Sequence, residues 1–355
     1  MKFNRPFENG ALGVLQGKWQ LTLKTPLLIR QGSLPESKAA LKQQPKNFQK
    51  GRGQEVGLLW KTAPAKLKEQ SQFYEKEWSE ITDFNYHFFV DDKNQLQVQY
   101  SIPASSVRGA LRQWAIKNLI TNRDEWNLFR LEKQDKKTEQ DLTNLIEKLW
   151  EHLQKRKSRW TDILSLFGIA YDIDPNVDNR LIWAGRLRLT TRVNETASNK
   201  VLDAVGKSIT ATDGPQNMKR HVTVRNPLDR VTMAAKEQGL HFGLEMSEGE
   251  TFEVNFHILN PKPTDIELIN LWHTDIHNGF LRFGGLTSQG RGRVEIDGEQ
   301  YRLFVSSASS ALHQQLKNLG KKDLAENTYF NSIWLGAELT RAELAGIDFT
   351  HREKQ

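Results

Sequence analysis

Alternation of apolar and polar residues marks two β-strands most clearly. Residues 18–31 begin with Trp19, Leu21 and Leu23 at every second position, and residues 252–259, FEVNFHIL, alternate in the same way. A period of two is typical of a strand with one buried side. We therefore predict a strand in each segment, with its apolar side facing a core.

Shorter runs predict further strands. Residues 84–90 (FNYHFFV) and 95–102 (QLQVQYSI) read as a strand pair around the turn residues DDKN. Residues 182–193 (IWAGRLRLTTRV) predict one strand with Leu187 and Leu189 inward. The segment HVTVRNPLDRVTMAA reads as extended, residues 281–297 read as a turn-rich loop that enters a strand, and one more strand is expected after residue 300.

Two helices complete the predicted core. The segment SIPASSVRGALRQWAIKNLI opens a helix that Ser105 or Ser106 can cap. Its apolar stripe, at helical spacing, is Val107, Leu111, Trp114 and Ala115. Residues 265–280 predict the second helix.

The core is expected to carry large insertions. Residues 36–80 are rich in Lys, Gln and Glu with little periodicity, and residues 123–160 are a polar stretch with helical spacing. A long hairpin is predicted at about 192–232. The fold class is therefore α+β, a ferredoxin-like β-α-β-β-α-β core over residues 1–300, followed by a C-terminal strand and helical segment at 301–355.

Charge and composition narrow the function classes. The chain has 355 residues, a formal net charge of +7 and no cysteine. Disulfides, Cys-ligated zinc and thiol catalysis are thereby excluded. A positive balance suits a polyanionic partner without identifying one. The sequence shows no signal peptide and no apolar run long enough to span a membrane, so we expect a cytoplasmic protein that does not bind membranes.

The segment RFGGLTSQGRGRVEI is the strongest candidate for phosphate binding. Four glycines, among them Gly284 and Gly285, lie within nine residues. Glycine allows backbone amides to approach a phosphate closely, and consecutive amides can form an anion-binding nest. The side chains that add donors are Arg282, Thr287, Gln289, Arg291 and Arg293. The closing Gly-Lys-Ser/Thr of a nucleotide P-loop is missing, which disfavours an ATPase. A tight loop with solvated arginines is the structural alternative.

Two other segments carry basic residues. Ser105 and Ser106 lie at a helix start, where amides favour phosphate, and Arg108 and Arg112 follow one turn apart. Arg225 and Arg230 flank a bend at Pro227. Taken alone, each segment is more often a capped helix or a surface loop.

Histidines and aromatic residues add weaker candidates. His273 and His277 have i, i+4 spacing, which can chelate zinc, but no Glu lies between them as in HExxH. Tyr86, Phe88 and Phe89 could stack bases, although core packing is the more common role of such residues.

Four segments in order resemble the CRISPR RAMP superfamily of RNA-binding proteins. SIPASSVRGALR is similar to the family's IPGSSLRGALR, and LSLFG followed by AGRLRLTT is similar to its next block. RNPLDRVTMAAKEQGLHFGLEMSEGETFEVNFHI resembles the segment that carries the family's thumb, and RFGGLTSQGRGRVEI resembles its C-terminal glycine-rich loop. With the opening strand, these segments span roughly residues 18–298.

The resemblance implies an RRM-like core with a thumb β-hairpin, closest to the backbone subunits of type III effector complexes. Such subunits stack head-to-tail along a CRISPR RNA (crRNA), together with other effector subunits. They hold the crRNA through its phosphates, because the sequence of the guide differs from one crRNA to the next. Outside the glycine-rich loop, the RNA-binding residues this implies are Arg30, Ser105, Ser106, Arg108, Arg112, Arg225 and Arg230.

Some relatives also cleave the target RNA that pairs with the guide. In them an Asp in the loop between the first strand and the first helix supports cleavage with Mg²⁺ or another divalent ion. Asp83 corresponds best to that position, whereas Asp91 and Asp92 look like turn residues. Two alternatives stay open. One is an endoribonuclease that processes precursor crRNA with an acid–base pair drawn from His221, His273 and His277, and the other is a non-catalytic structural or capping subunit.

Overall fold

The structure is a computed structural model, and it describes residues 12–29, 81–82, 84–90, 96–120, 159–172, 180–193, 220–225, 241–320, 325–329 and 332–349. The predicted insertion 36–80 lies outside these residues. So do most of the helical insertion 123–160 and most of the predicted thumb hairpin at 192–232.

The largest sheet in the described part of the chain has six antiparallel strands, and we call it the central sheet. Its strands lie in the order β12-β13-β11-β1-β10-β7. Their bounds are β1 Gly13–Leu23, β7 Leu187–Val193, β10 Thr251–Leu259, β11 Val294–Ser306, β12 Ala325–Tyr329 and β13 Ser332–Leu339. Mixed α and β structure around an antiparallel sheet is the class predicted from the sequence.

The described residues also form three small sheets. The predicted pair at 84–90 and 95–102 is present as β3 (Tyr86–Val90) and β4 (Leu96–Tyr100). A second pair joins β5 and β6, and a three-stranded sheet has the order β2-β9-β8. The bounds are β2 Ile81–Thr82, β5 Gly168–Asp172, β6 Arg180–Ala184, β8 Arg220–Arg225 and β9 His241–Met246.

Five helices occur in the described part of the chain. Both predicted core helices are confirmed, as α1 (Ala104–Leu119) and α3 (Pro263–His277). The others are α2 (Arg159–Phe167), α4 (Ser310–Asn318) and α5 (Arg341–Ala345). No described helix is long and apolar enough to cross a membrane.

The alternation of β1 places one side of the strand in the core. Trp19 and Leu21 are buried on that side, and the indole Nε1 of Trp19 donates to the hydroxyl of Tyr301 at 2.9 Å. The ring of Phe256 meets Trp19 edge-on at 5.0 Å between centroids. A Cβ on Gly17 would lie 2.1 Å from the Phe256 ring, so the sheet can take this packing only with glycine there.

The first strand is shifted relative to its prediction of 18–31. It begins at Gly13 and ends at Leu23, after which the chain leaves the sheet. Pro26 lacks an amide hydrogen, so it cannot continue a central strand. Leu27 and Leu28 then form single bridges to Met246 and Gly285. The predicted strand is therefore a strand plus an anchoring segment, residues 24–29.

The prediction of a single strand at 182–193 is wrong, because Gly185 and Arg186 separate two strands, β6 and β7. Arg186 is buried and forms a bidentate ion pair with Asp265 near the start of α3, with N–O distances of 2.6 and 2.8 Å. A Cβ on Gly185 would lie 2.5 Å from the backbone carbon of Phe167. The turn that presents Arg186 to Asp265 therefore replaces regular pairing.

The C-terminal part also differs in detail. One further strand was expected after residue 300, whereas β11 itself runs to Ser306 and two more strands follow. β13 pairs with β11 and extends the central sheet.

Candidate nucleic-acid interface

The glycine-rich loop joins α3 to β11 and turns sharply several times. Gly284, Gly290 and Gly292 have φ angles of 76°, 89° and 74°, and Leu286 has a φ of 60°. Positive φ is costly for residues with a Cβ and free of that cost for glycine. Three of the four glycines noted in the sequence, Gly284, Gly290 and Gly292, therefore allow the backbone to make these turns.

Backbone hydrogen bonds hold this loop against the anchoring segment. The amides of Gly285 and Gly292 donate to the carbonyls of Leu28 and Pro26 at 2.8 and 2.9 Å. A Cβ on Gly284 would lie 2.5 Å from the Leu28 carbonyl oxygen. The loop is thus fixed by its contacts with the segment that follows β1.

The outer part of the loop carries backbone amides without an acceptor among the described residues. The structure records no acceptor, among the described residues, for the amides of Leu286, Thr287 and Ser288. Gly284, Gly285, Ser288 and Gln289 are exposed. A fixed turn that presents adjacent amides and polar side chains can bind an anion such as a phosphate.

The three arginines of the loop have different surroundings. Arg282 donates from Nε to the Gly279 carbonyl at 2.9 Å and from Nη1 to the Thr287 carbonyl at 3.4 Å. Arg293 is exposed, and no described carboxylate lies within ion-pair distance of it, although Glu295 interacts with it electrostatically. Arg291 forms an ion pair with the buried carboxylate of Glu245 at 2.8 Å. Arg282 is therefore held by the backbone of its own turn and Arg293 is exposed to solvent, while the charge of Arg291 is largely neutralised.

The start of α1 differs from the predicted serine cap. The N-cap residue is Pro103, without a side-chain cap, so Ser105 and Ser106 lie inside the first turn. The capping prediction is wrong, because the helix begins at Ala104, directly after the extended backbone of Pro103, so both serines already have helical backbone. Ser105 remains exposed and Ser106 partly buried at the helix N-terminus.

The two arginines of α1 point into the protein. Arg108 donates to the carbonyl of Phe167, the last residue of α2. Arg112 is partly buried and has contacts of its own. Their sequence spacing alone predicted a shared face but gave no sign of these internal contacts.

Short backbone pairings connect the loop with the start of α1. Gly285 pairs with Leu28, the amide of Asn85 donates to the carbonyl of Ile29 at 2.9 Å, and the amide of Ser101 donates to the carbonyl of Asn85 at 2.9 Å. Two of the three predicted RNA-binding segments are therefore connected through backbone pairings of the residues between them.

Several predicted site residues lie outside the described part of the chain. These are Arg30, Asp83, Asp91, Asp92 and Arg230. For another group the structure describes only the backbone. Arg225 and His221 lie in β8, and Tyr86, Phe88 and Phe89 lie in β3.

The histidine pair of α3 lies beside acidic residues of β11. Nε2 of His273 is 3.3 Å from a carboxylate oxygen of Glu299, which also accepts from the Tyr301 hydroxyl at 2.9 Å. Burial lowers the pKa of His273, although Glu299 acts in the opposite direction. The described residues contain no group of three or more metal-ligating side chains.

Sequence reasoning missed two features of this region. Phe280, assigned to the end of the second helix, follows the end of α3 and is 77% exposed. Asn278 and Gly279, a helix-ending pair, were the signal that could have separated it from the helix. The pairing of Arg291 with Glu245 had no local signal, because the two residues are 46 positions apart.

A family model described as the RAMP superfamily matches residues 20–295. The chain belongs to the RAMP superfamily. The match begins within β1 and ends within β11, so it includes the glycine-rich loop and α1 of this RAMP protein.

The other comparisons give little detail. Among solved structures, a chain titled "Type IV-B CRISPR Complex" is similar over 79% of this RAMP protein and 88% of that chain, with 14% sequence identity and a TM-score of 0.38. No curated protein sequence matches.

Proposed function

We propose that this RAMP protein is a crRNA-binding backbone subunit of a CRISPR effector ribonucleoprotein of type III, located in the cytoplasm. It has an RRM-like core and a thumb hairpin, and it stacks head-to-tail with other effector subunits on the guide. The observation that carries the proposal is the fixed glycine-rich loop with open amides, flanked by Arg282 and Arg293. These groups contact phosphates, not base edges, so they fit a guide of any sequence.

Further support comes from the arrangement of the elements. Backbone pairings connect the residues before the α1 N-terminus with the loop, and the formal net charge is +7. In the central sheet, four strands are neighbours in the order β11, β1, β10 and β7. Along the chain, α1 and α2 lie between β1 and β7, and α3 lies between β10 and β11. This order supports the RRM-like core.

Salt-dependent RNA binding tests the proposal. The affinity of the full chain for crRNA and for an unrelated single-stranded RNA is measured at several salt concentrations, for wild type, Arg293→Ala and the control Lys317→Ala in α4. We expect weaker binding of both RNAs by Arg293→Ala. The slope of log K against log salt should fall in magnitude by about 0.7, the value for one phosphate contact in a single strand. A wild-type affinity that is independent of salt contradicts the proposal.

Target cleavage is a separate proposal for the same subunit. It rests on the resemblance of the segment around Asp83, and requires Mg²⁺ or another divalent ion. The test compares cutting of paired target RNA by the guide-loaded complex with wild type and Asp83→Ala. Loss of one cut with guide binding intact supports a nuclease role. An unchanged ladder removes Asp83 and leaves either Asp91 or Asp92 as the carboxylate or a subunit that only holds RNA. A metal-independent cut of precursor RNA by the isolated chain favours a processing enzyme.

A further inference from the structure

Phe280 is exposed although the backbone around it is fixed. Its side chain is 77% exposed, whereas its neighbours Gly279 and Leu281 are buried. The amides of Phe280 and Leu281 both donate to the carbonyl of Asp275, at 2.9 and 3.0 Å. A turn that is fixed by backbone hydrogen bonds therefore exposes the ring to solvent. The exposed ring buries little apolar surface and so contributes little to the stability of the fold.

Two cationic side chains surround the same turn. Arg282 donates to the Gly279 carbonyl at 2.9 Å, and Arg293 lies over Gly279, where a Cβ would be 3.1 Å from its Nε. Neither guanidinium lies within ion-pair distance of a described carboxylate, and Glu295, which interacts with Arg293 electrostatically, is paired with Lys24 at 2.5 Å. The carboxylate of Asp275 accepts from the indole of Trp114 at 2.7 Å and is thereby engaged elsewhere.

This combination fits nucleic acid better than an apolar protein surface. An apolar partner that covered Phe280 would also bury the two guanidiniums, and burying an unpaired charge is costly. A single-stranded nucleic acid supplies a base for the ring and phosphates for the arginines together. Stacking on an aromatic side chain tolerates any base, as a guide of any sequence requires.

We propose that Phe280 is a stacking platform for one unpaired base of the RNA whose phosphates bind at the glycine-rich loop. This inference rests on the proposed function and adds a contact to a base that the loop itself does not make. The stacked nucleotide would lie beside Arg282 and Arg293, at the α3 end of the loop.

The experiment measures binding of the isolated full chain to a mixed-sequence single-stranded RNA. The variants are Phe280→Ala, Phe280→Leu and Phe280→Trp, and the control is Leu319→Ala, another exposed apolar residue at 38%. One stacked base corresponds to a loss of about fivefold to 150-fold in affinity. We expect this loss for Phe280→Ala and Phe280→Leu, none for Leu319→Ala, and wild-type or tighter binding for Phe280→Trp. Thermal stability should not change, because the ring is exposed.

A second ligand separates stacking from other effects. On an abasic ribose-phosphate oligomer of the same length, wild type and Phe280→Ala should bind equally. The slope of log K against log salt on normal RNA should be the same for both, because no phosphate contact is lost.

Three outcomes overturn the inference. If wild type binds RNA and Phe280→Ala binds it equally well, the stacking contact does not exist while the proposed function stands. If Phe280→Ala alters self-association in the ultracentrifuge without RNA and leaves RNA affinity unchanged, the ring is a protein contact. If wild type binds no RNA at any salt concentration, the proposed function and this inference fail together.

Discussion

At the scale of single residues, the buried ion pair of Arg186 and Asp265 joins several elements of the fold. The side chains are 1% and 0% exposed. Arg186 also donates to Ser165 Oγ at 2.9 Å and to the Asn260 carbonyl at 3.0 Å. One guanidinium therefore connects α2, the end of β10 and the start of α3.

Removing one partner of this pair should be strongly destabilising. Asp265→Asn leaves a buried guanidinium without its counter-charge, and such changes cost about 3–5 kcal/mol. Urea denaturation followed by circular dichroism measures the change. The surface pair Lys18–Glu253, with a side-chain exposure of 41% at Lys18, provides the control. Lys18→Ala should cost about 1 kcal/mol or less, and an equal cost for both variants would contradict the role of burial.

His273 makes stability depend on pH. Burial lowers its pKa from 6.5 in the folded chain. Between the folded and unfolded pKa values the unfolded chain binds more protons, so the free energy of unfolding should fall as the pH drops below about 6.5. His273→Gln should reduce this fall. Urea titrations at several pH values check it, and an unchanged pH dependence in the variant would assign the effect to other groups.

At the scale of elements, the glycine-rich loop depends on glycine at particular positions. Gly292 has a φ of 74°, and a Cβ there would lie 1.8 Å from the Phe283 carbonyl oxygen. Gly290 also has a positive φ, but its Cβ would come only within 3.8 Å of Arg282 Nη1. Backbone strain acts at both positions, whereas the clash acts at Gly292 alone.

Alanine at these two positions should therefore have unequal effects. Gly290→Ala should cost about 1–2 kcal/mol through its backbone angle, and Gly292→Ala clearly more because Phe283 must also move. Gly109→Ala in α1 is the contrast. A Cβ there meets nothing within 4 Å, so it should stabilise the protein by about 0.5–1 kcal/mol. Thermal denaturation ranks the three variants, and equal losses at Gly290 and Gly292 would contradict the clash.

The elements show where sequence reasoning succeeds. The alternation in β1 and β10 and the stripe of Val107, Leu111, Trp114 and Ala115 predicted which faces pack on the core, because burial imposes the period directly. Trp114 is partly buried, and the other three residues of the stripe are buried. The interruption at Arg186 was missed, because its cause is Asp265, 79 positions away. In the site, the glycine-rich loop was located by composition. The inward contacts of Arg108 and Arg291 depend on distant partners that no local pattern reveals.

At the scale of the whole molecule, one hydrophobic core joins the family-matched region to the C-terminal segment. The match ends at residue 295, yet the same core continues beyond it. Residues that follow β11 and belong to this core include Leu312, Leu316, Leu335, Leu339, Leu344 and Phe349. β13 pairs with β11 from Tyr301 to Ser306, so it covers what would otherwise be an edge of the central sheet.

A chain that ends after Ser306 should therefore fold poorly. It loses the apolar partners of the core and exposes β11 as an unpaired edge strand, a known template for aggregation. Solubility and limited proteolysis of this truncation measure the effect, with a chain that ends at residue 350 as the control. We expect the longer chain to remain soluble and resistant and the shorter one to aggregate. A soluble, protease-resistant short chain would mean that the family-matched region folds independently and that the C-terminal strands only extend it.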